Sequence, residues 1–312
     1  MDRIICIVGP TASGKTSLSV ALAKALDGEV ISCDSMQIYR GMDIGTAKVT
    51  PEERDGVPHH MIDIVDPRED FSVSRFVEMA DTALRDILAR NKYAILTGGT
   101  GLYIDSLVSG RVFAPYPSTG KRQQLEQLAA REGIGALIKM LEEFDPESAR
   151  RLHPSDQKRI IRAVEVYLET GTTITQHNAL TRQIPAKYHP IWIGLDFIDR
   201  QDLYRRINLR VDQMLQAGLM REIRQLLSQG VPERATSMQA IGYKEALAAL
   251  HGQITEAQAA DQIRQASRNY AKRQLTWFRK NTDVHWIYQP ASPDPAEVFS
   301  QALQIISNFD RA

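Results

Sequence analysis

Hydrophobic positions at the start of the chain follow two rhythms. Ile4 to Val8 is an unbroken apolar run of strand length, whereas Leu18, Ala21, Leu22, Ala25 and Leu26 recur at the intervals of one helix face. Val30 to Cys33 is another short apolar run. Runs without alternation belong to strands covered on both faces, so strand, helix, strand in this order predicts a parallel sheet with helices packed on it. The pattern continues in a helix over Val73 to Arg90, with Phe76, Val77, Ala80, Leu84, Ile87 and Leu88 on one face, and a strand over Tyr93 to Thr97 closed by Gly98-Gly99.

The texture changes near Ala114-Pro115-Tyr116-Pro117, after which the segments to about Gly171 read as helical with no strand among them. Ile191 to Phe197 restores the strand pattern. Helices follow over Leu203 to Ala217, Leu219 to Gln229, Tyr243 to Leu250 and Glu256 to Arg279. The expected organisation is an α/β core over residues 1–116, an inserted all-helical domain over 117–186, and the rest of the core over 187–312.

Between the first strand and the first helix stands Gly9-Pro10-Thr11-Ala12-Ser13-Gly14-Lys15-Thr16, a full match to the phosphate-binding P-loop in the context that motif requires. Its backbone amides and the helix N-terminus point at one anion, Lys15 adds a cation, and the Thr16 hydroxyl can ligate Mg²⁺. The core is thus expected to be P-loop NTPase-like. A nucleoside triphosphatase would carry an acid at the end of a second apolar strand, but Tyr93 to Thr97 leads into Gly98-Gly99-Thr100. The acid that follows a strand is Asp34, at the sheet edge where doubly wound folds bind ligands. It suits a metal-site acid, a general base, or a cap for the turn after its strand. Gln37, Tyr39 and Arg40 crowd polar groups beside it, and Gly41 to Lys48 is a long glycine-punctuated loop of the kind that carries function.

Composition removes several classes. With 312 residues, 43% hydrophobic and 24% charged, the chain reads as globular rather than disordered or fibrous. No apolar run nears the ~18 residues of a membrane span, and Met1-Asp2-Arg3 leads into too short a run for a signal peptide, so a cytoplasmic enzyme is expected. Cys6 and Cys33 are too few for a disulfide framework or cysteine metal site and read as small core side chains. Basic and acidic residues balance at 38 each, so any polyanion site must come from local clustering. Arg264, Arg268, Lys272, Arg273, Arg279 and Lys280 stand in an acid-free stretch interleaved with Tyr270, Trp277 and Phe278. Lys121-Arg122 and a second cluster, Arg150, Arg151, Lys158, Arg159 and Arg162, fall in the inserted helices. Two patches on a neutral chain point to RNA as a second, larger anion.

Taken together, the P-loop, Asp34 to Lys48, and Gly98-Gly99-Thr100-Gly101-Leu102-Tyr103 resemble the bacterial tRNA dimethylallyltransferases, the IPP transferase family. His59-His60 with Asp63 to Pro67, Gln157 to Val166, Ile241 to Glu245 and Arg273 to Arg279 extend the resemblance over nearly the full length. It implies transfer of a dimethylallyl group from dimethylallyl diphosphate to the N6 amine of the adenosine at tRNA position 37, 3′ of the anticodon, with Mg²⁺ and release of diphosphate. Gly9 to Thr16 would then cradle a leaving group. Asp34 matches the general base, Thr100 contacts the same nucleotide, and Arg210 matches the arginine that steadies the departing diphosphate. The resemblance places tRNA contacts at Asp34, Ser35, Met36, Gln37 and Thr100, and at Arg122, Gln157, Lys158, Arg159, Ile160 and Ile161. The partner is the anticodon stem-loop and the enzyme is expected to be a monomer. His59 and His60 match the family without a derivable chemistry, and a structural role is expected for them. Two other classes are compatible with the P-loop: an ATP-dependent small-molecule kinase, and an RNA-binding switch that would need no Asp34.

Overall fold

In the computed structural model, residues 3–111, 113, 119–182 and 185–310 are described. The chain forms two compact units, Met1–Gly110 with Lys187–Ala312, and Arg111–Ala186. The boundary expected between residues 116 and 117, and the Ala114 to Pro117 signal itself, lie outside the described residues.

The first unit is built on a sheet of β1 (Ile4–Val8), β2 (Gly28–Ser32), β3 (His59–His60), β4 (Tyr93–Thr97), β5 (Ile191–Phe197) and β6 (Val284–Gln289), in the order β3-β2-β4-β1-β5-β6. Every pairing is parallel. The unbroken apolar runs have the cause inferred for them: Ile4, Cys6 and Val8 point into one core layer with Phe76, Leu84 and Leu107, while Ile5 and Ile7 point into another with Leu22, Ile193 and Ile306. Helices α1 (Lys15–Ala25) and α14 (Pro295–Asp310) cover the second face, and α3 (Val73–Ala89) and α4 (Gly101–Val108) cover the first. Because β4 lies between β1 and β2, the segments leaving all three strands emerge side by side at one sheet edge.

Elements of this unit that went unread in the sequence include α4, β3, β6 and α14. β3 is two residues long, β6 (Val-His-Trp-Ile-Tyr-Gln) buries Val284, Ile287 and Gln289 but exposes His285 and Tyr288 and so lacks a continuous apolar run, and α14 follows it. Beyond β5, α10 (Arg200–Ala217) begins ahead of the predicted Leu203 because the Asp199 side chain caps it by accepting from the Gln201 amide. The remaining helices are α11 (Leu219–Ser228), α12 (Tyr243–Leu250) and α13 (Glu256–Phe278), and α2 (Pro51–Arg54) is a short turn ahead of β3. The loop from Gly41 to Lys48 is no free excursion, since Ile38 and Tyr39 before it and Met42 within it pack on Val211, Ile223, Leu226 and Tyr243 of α10 to α12.

The second unit consists of α5 (Lys121–Glu132), α6 (Ile134–Phe144), α7 (Pro146–Arg151), α8 (Gln157–Thr170) and α9 (Ile174–Arg182), the last lying past the predicted end near Gly171. Leu125, Leu137, Leu141, Ile160, Ile161 and Val164 form its own core.

Glu29 fixes the far edge of the sheet. Buried in β2, it accepts from Arg90 (2.8 Å to Nη2) and meets His60 Nε2 of β3 at 2.9 Å. The Arg90 hydrogen bond, followed by His60 and Lys92 against the cost of burial, lowers its carboxyl to about 2. The folded value lies below the unfolded one of ~4.3, so this stabilisation is full above the unfolded value and fades as pH falls toward the folded one. Glu29→Gln should therefore lower the unfolding midpoint at pH 7, and the gap from wild type should close between about pH 4.3 and 2. A gap independent of pH would mean that the charge of Glu29 contributes nothing.

Candidate active site

The P-loop leaves β1 and is braced from several sides. Thr11 N donates to Gln274 Oε1 (2.9 Å), Arg206 Nε to the Ala12 carbonyl (3.1 Å), and Gln289 Nε2 to the Ser13 carbonyl (3.0 Å). Lys15 Nζ donates to the Pro10 carbonyl (2.7 Å) across the loop. Burial, with the nearby Arg210 charge next, lowers Lys15 to about 7, while Asp34 acts in the opposite sense. Arg210, on α10, donates from Nη1 to the Thr11 hydroxyl (3.1 Å), and burial lowers its own value as well. Anions that entered here would meet amides and cations already in place.

Asp34 follows β2. Its Oδ1 accepts from the amides of Met36 (2.8 Å) and Gln37 (3.3 Å), so the turn-capping role open to it in the sequence is real. It occupies one oxygen; among the described residues no hydrogen bond to Oδ2 occurs. Thr100 sits at the start of α4, where a threonine ordinarily caps its own helix. Here its hydroxyl instead accepts from Ser35 N (3.1 Å), which draws the turn after β4 against the turn after β2. Gly98 permits this approach, because a Cβ there would lie 2.3 Å from the Cys33 carbonyl oxygen.

Three cavities meet around these residues, and Arg210 lines all of them. The innermost, about 80 Å³, has Lys15, Thr16, Asp34, Gln37 and His59 in its wall. A second, about 280 Å³, joins Asp34, Ser35 and Met36 to Ile207, Val211 and Ile263. The third, about 590 Å³, spreads from Gly14, Lys15 and Thr16 toward Arg206 and Glu53. A carboxylate and two buried cations thus border one space, an arrangement that can take a proton on one side and neutralise a leaving anion on the other.

Other expectations divide. Gln37 is turned inward, donating from Nε2 to the carbonyls of Thr46 (3.3 Å) and Ala47 (3.2 Å). Arg122 belongs to α5 of the helical unit and pairs with Glu126 at 3.2 Å. Gln157, Lys158 and Arg159 are exposed at the start of α8, whereas Ile160 and Ile161 are 0% and 6% exposed. Those two side chains fill the unit's core, which leaves them little surface for contact with RNA. The basic stripe of α13 is also thinner than its sequence: Arg264 pairs with Asp212 and with Asp261 (2.5 Å), one residue outside the acid-free stretch, and Arg279 pairs with Asp196 (2.7 Å). Lys272, Arg273 and Lys280 stay exposed, with Arg273 over the Tyr270 ring at 5.6 Å.

Sequence reasoning missed Gln274 and underused His59. Gln274 is 4% exposed and bridges the loop to the β4 turn, its Nε2 donating to the Gly99 carbonyl (3.1 Å). The available signal was an amide on the buried stripe Ile263, Ala271, Gln274, Phe278 of α13. His60 has the structural role expected for both histidines. His59 approaches the Val57 carbonyl through Nδ1 (2.9 Å), while its buried Nε2 has no hydrogen-bond partner among the described residues. Burial lowers its value, favouring the neutral ring.

A family model described as IPP transferase matches residues 37–281, and one described as isopentenyl transferase matches residues 2–64. The chain is 47% identical over 289 residues to a tRNA dimethylallyltransferase of Caldanaerobacter subterraneus subsp. tengcongensis, covering 92% of this chain and 91% of the relative. It is 49% identical over 287 residues to one of Geobacillus thermodenitrificans, covering 91% and 90%. Among solved structures, the full-length tRNA isopentenylpyrophosphate transferase of Bacillus halodurans superposes with a TM-score of 0.75 at 42% identity, over 100% of this chain and 98% of that one. A eukaryotic dimethylallyltransferase acting on tRNA gives 0.80 at 29% identity, over 98% and 79%.

Proposed function

The chain belongs to the tRNA dimethylallyltransferase family, the IPP transferases, and from that premise we propose that it uses dimethylallyl diphosphate to alkylate the N6 amine of the adenosine at tRNA position 37. The family makes it a tRNA-modifying transferase, and its relatives support that reading and not a kinase. The single observation that carries the donor and the division of labour is that Asp34, Lys15 and Arg210 line one cavity.

In the reaction, the N6 nitrogen attacks C1 of the allylic chain while the bond from C1 to the diphosphate oxygen breaks. The electron pair of that bond leaves with the diphosphate, and the amine proton passes to the Asp34 carboxylate. An exocyclic amine is a weak nucleophile until bonding begins, so the base acts as the bond forms. The leaving side supplies more of the rate, because Lys15 and Arg210 are oriented before any charge develops. Thr100 holds Ser35, and with it the turn that carries Asp34, against the β4 turn.

Thr16 lines the innermost cavity beside Lys15, where its hydroxyl could serve a Mg²⁺ held chiefly by substrate phosphates. Thr16 is the residue that would hold it, and when bound the ion would neutralise diphosphate charge. On the acceptor side, Ser35, Met36 and Gln37 belong to the cavity walls, and Arg122, Gln157, Lys158 and Arg159 offer contacts from the helical unit. An unpaired anticodon loop lets the target base leave its stack, which a duplex would oppose. Among the described residues no helix is long and apolar enough to cross a membrane. We propose separately that the enzyme is cytoplasmic and acts as a monomer.

Incubation with labelled dimethylallyl diphosphate, Mg²⁺ and bulk tRNA should put label into tRNA, and labelled ATP in place of the donor should put none. Phosphoryl transfer from ATP to a small molecule, with no label in tRNA, would overturn the proposal.

A further inference from the structure

Glu222, on α11, lines none of the cavities around Arg210, yet its side chain is buried and fully engaged. Oε2 accepts from the amides of Asp43 (2.9 Å) and Ile44 (2.7 Å), and Oε1 from the amide of Gly45 (3.2 Å) and the Tyr243 hydroxyl (2.6 Å). Three consecutive backbone donors turned toward one anion form a nest, here closed by a carboxylate of the protein itself. Gly45 lies hard against Tyr243, since a Cβ at that position would come within 2.4 Å of the ring. Burial, followed by the Glu222 charge, pushes the Tyr243 hydroxyl far upward, which keeps it a donor to the carboxylate.

What this anchor holds is a wall of the active site. Gly45, Thr46 and Ala47 border the cavity of about 280 Å³, Thr46 also borders the innermost one, and Asp43, Ile44 and Ala47 border the third. With the amides of 43–45 turned toward Glu222, the carbonyls of Thr46 and Ala47 receive Gln37 Nε2, and that of Ala47 also lies 3.5 Å from Arg210 Nη2. Arg210 is buried near a second cation, Lys15, so its orientation depends on the few oxygens that reach it.

We propose that Glu222, oriented by Tyr243, is a positioning residue for the transfer reaction: it fixes the 43–47 loop as the partition between the cavities and through Ala47 sets the direction of Arg210. The inference rests on the diphosphate role given to Arg210 above. Without the carboxylate the three amides lose their partner, the loop relaxes, and Arg210 turns away from the leaving group.

Glu222→Gln keeps the shape but places an amide group against backbone donors. In single-turnover assays with dimethylallyl diphosphate and tRNA, it should lower the rate about tenfold, with KM for tRNA unchanged. In an Arg210→Ala background the same substitution should cost less than about twofold, because the group it positions is gone. A loss of folded protein would multiply both backgrounds alike, so equal factors in the two would overturn the proposal. Tyr243→Phe, which removes one donor and leaves the carboxylate in place, should give the same pattern with a factor of about three, and it decides the matter if Glu222→Gln does not fold. The cycle is also read on the affinity for inorganic diphosphate, measured by calorimetry. A wild-type enzyme without prenyl transfer would defeat the donor assignment, while coupling or additivity in diphosphate binding would still support or overturn the role of Glu222.

Discussion

Asp34→Asn is expected to slow transfer to tRNA by about 10²- to 10⁴-fold, the range of a positioned general base, while leaving the fold intact. The asparagine carbonyl can keep the place of Oδ1, which accepts from the amides of Met36 and Gln37, so the turn and its tie to Thr100 survive. What disappears is the carboxylate that takes the amine proton. Asp34→Ala should be no faster and should also lower the unfolding midpoint, since it removes the turn's acceptor as well. Single-turnover rates with saturating donor and tRNA, read beside thermal unfolding, separate the two losses. A rate for Asp34→Asn within about threefold of wild type would leave the carboxylate only its turn-capping role.

Lys15→Ala should cost about 10²- to 10³-fold in the same assay, the usual loss when one preorganised charge or donor facing the developing anion is removed. Inhibition by the diphosphate product should weaken in parallel, because the ammonium meets charge already present on the product. Lys15→Arg should restore little: the loop crosses over a compact ammonium bonded to the Pro10 carbonyl, and a planar guanidinium has different reach and geometry. With Lys15 lowered to about 7 by burial and by Arg210, diphosphate binding at pH 8 should draw a proton from solution, visible as a buffer-dependent heat. Undiminished diphosphate inhibition in Lys15→Ala would mean that the loop does not hold the leaving group.

Much of this site could be read from sequence because its parts are local. A P-loop is a contiguous turn whose function resides in successive amides, and Asp34, the Gly98-Gly99 turn and the strand runs before them each announce themselves within a few residues. The elements that escaped were short or weakly patterned, such as the two residues of β3 and the half-exposed β6. Charge counted along a window misled in one place, since Arg264 is matched by Asp212, 52 residues away in sequence, and by Asp261 just outside the window. Packing separated neighbours in the helical unit: Ile160 and Ile161 lie beside the basic residues in sequence but inside the core in space.

The sequence by itself determined the parallel α/β architecture, the phosphate loop, the acid that faces it and the family. These depend on residue type and spacing over one or two elements, where local sterics and hydrophobic period decide. Only the tertiary structure decided what braces the loop and its neighbours: Gln274 reaching it from α13, Thr100 diverted from its helix to Ser35, and Glu222 gathering the amides of 43–45 from 177 or more residues away. A buried polar side chain is placed by whichever unsatisfied group lies across the fold. Nothing in its own neighbourhood along the chain records that partner.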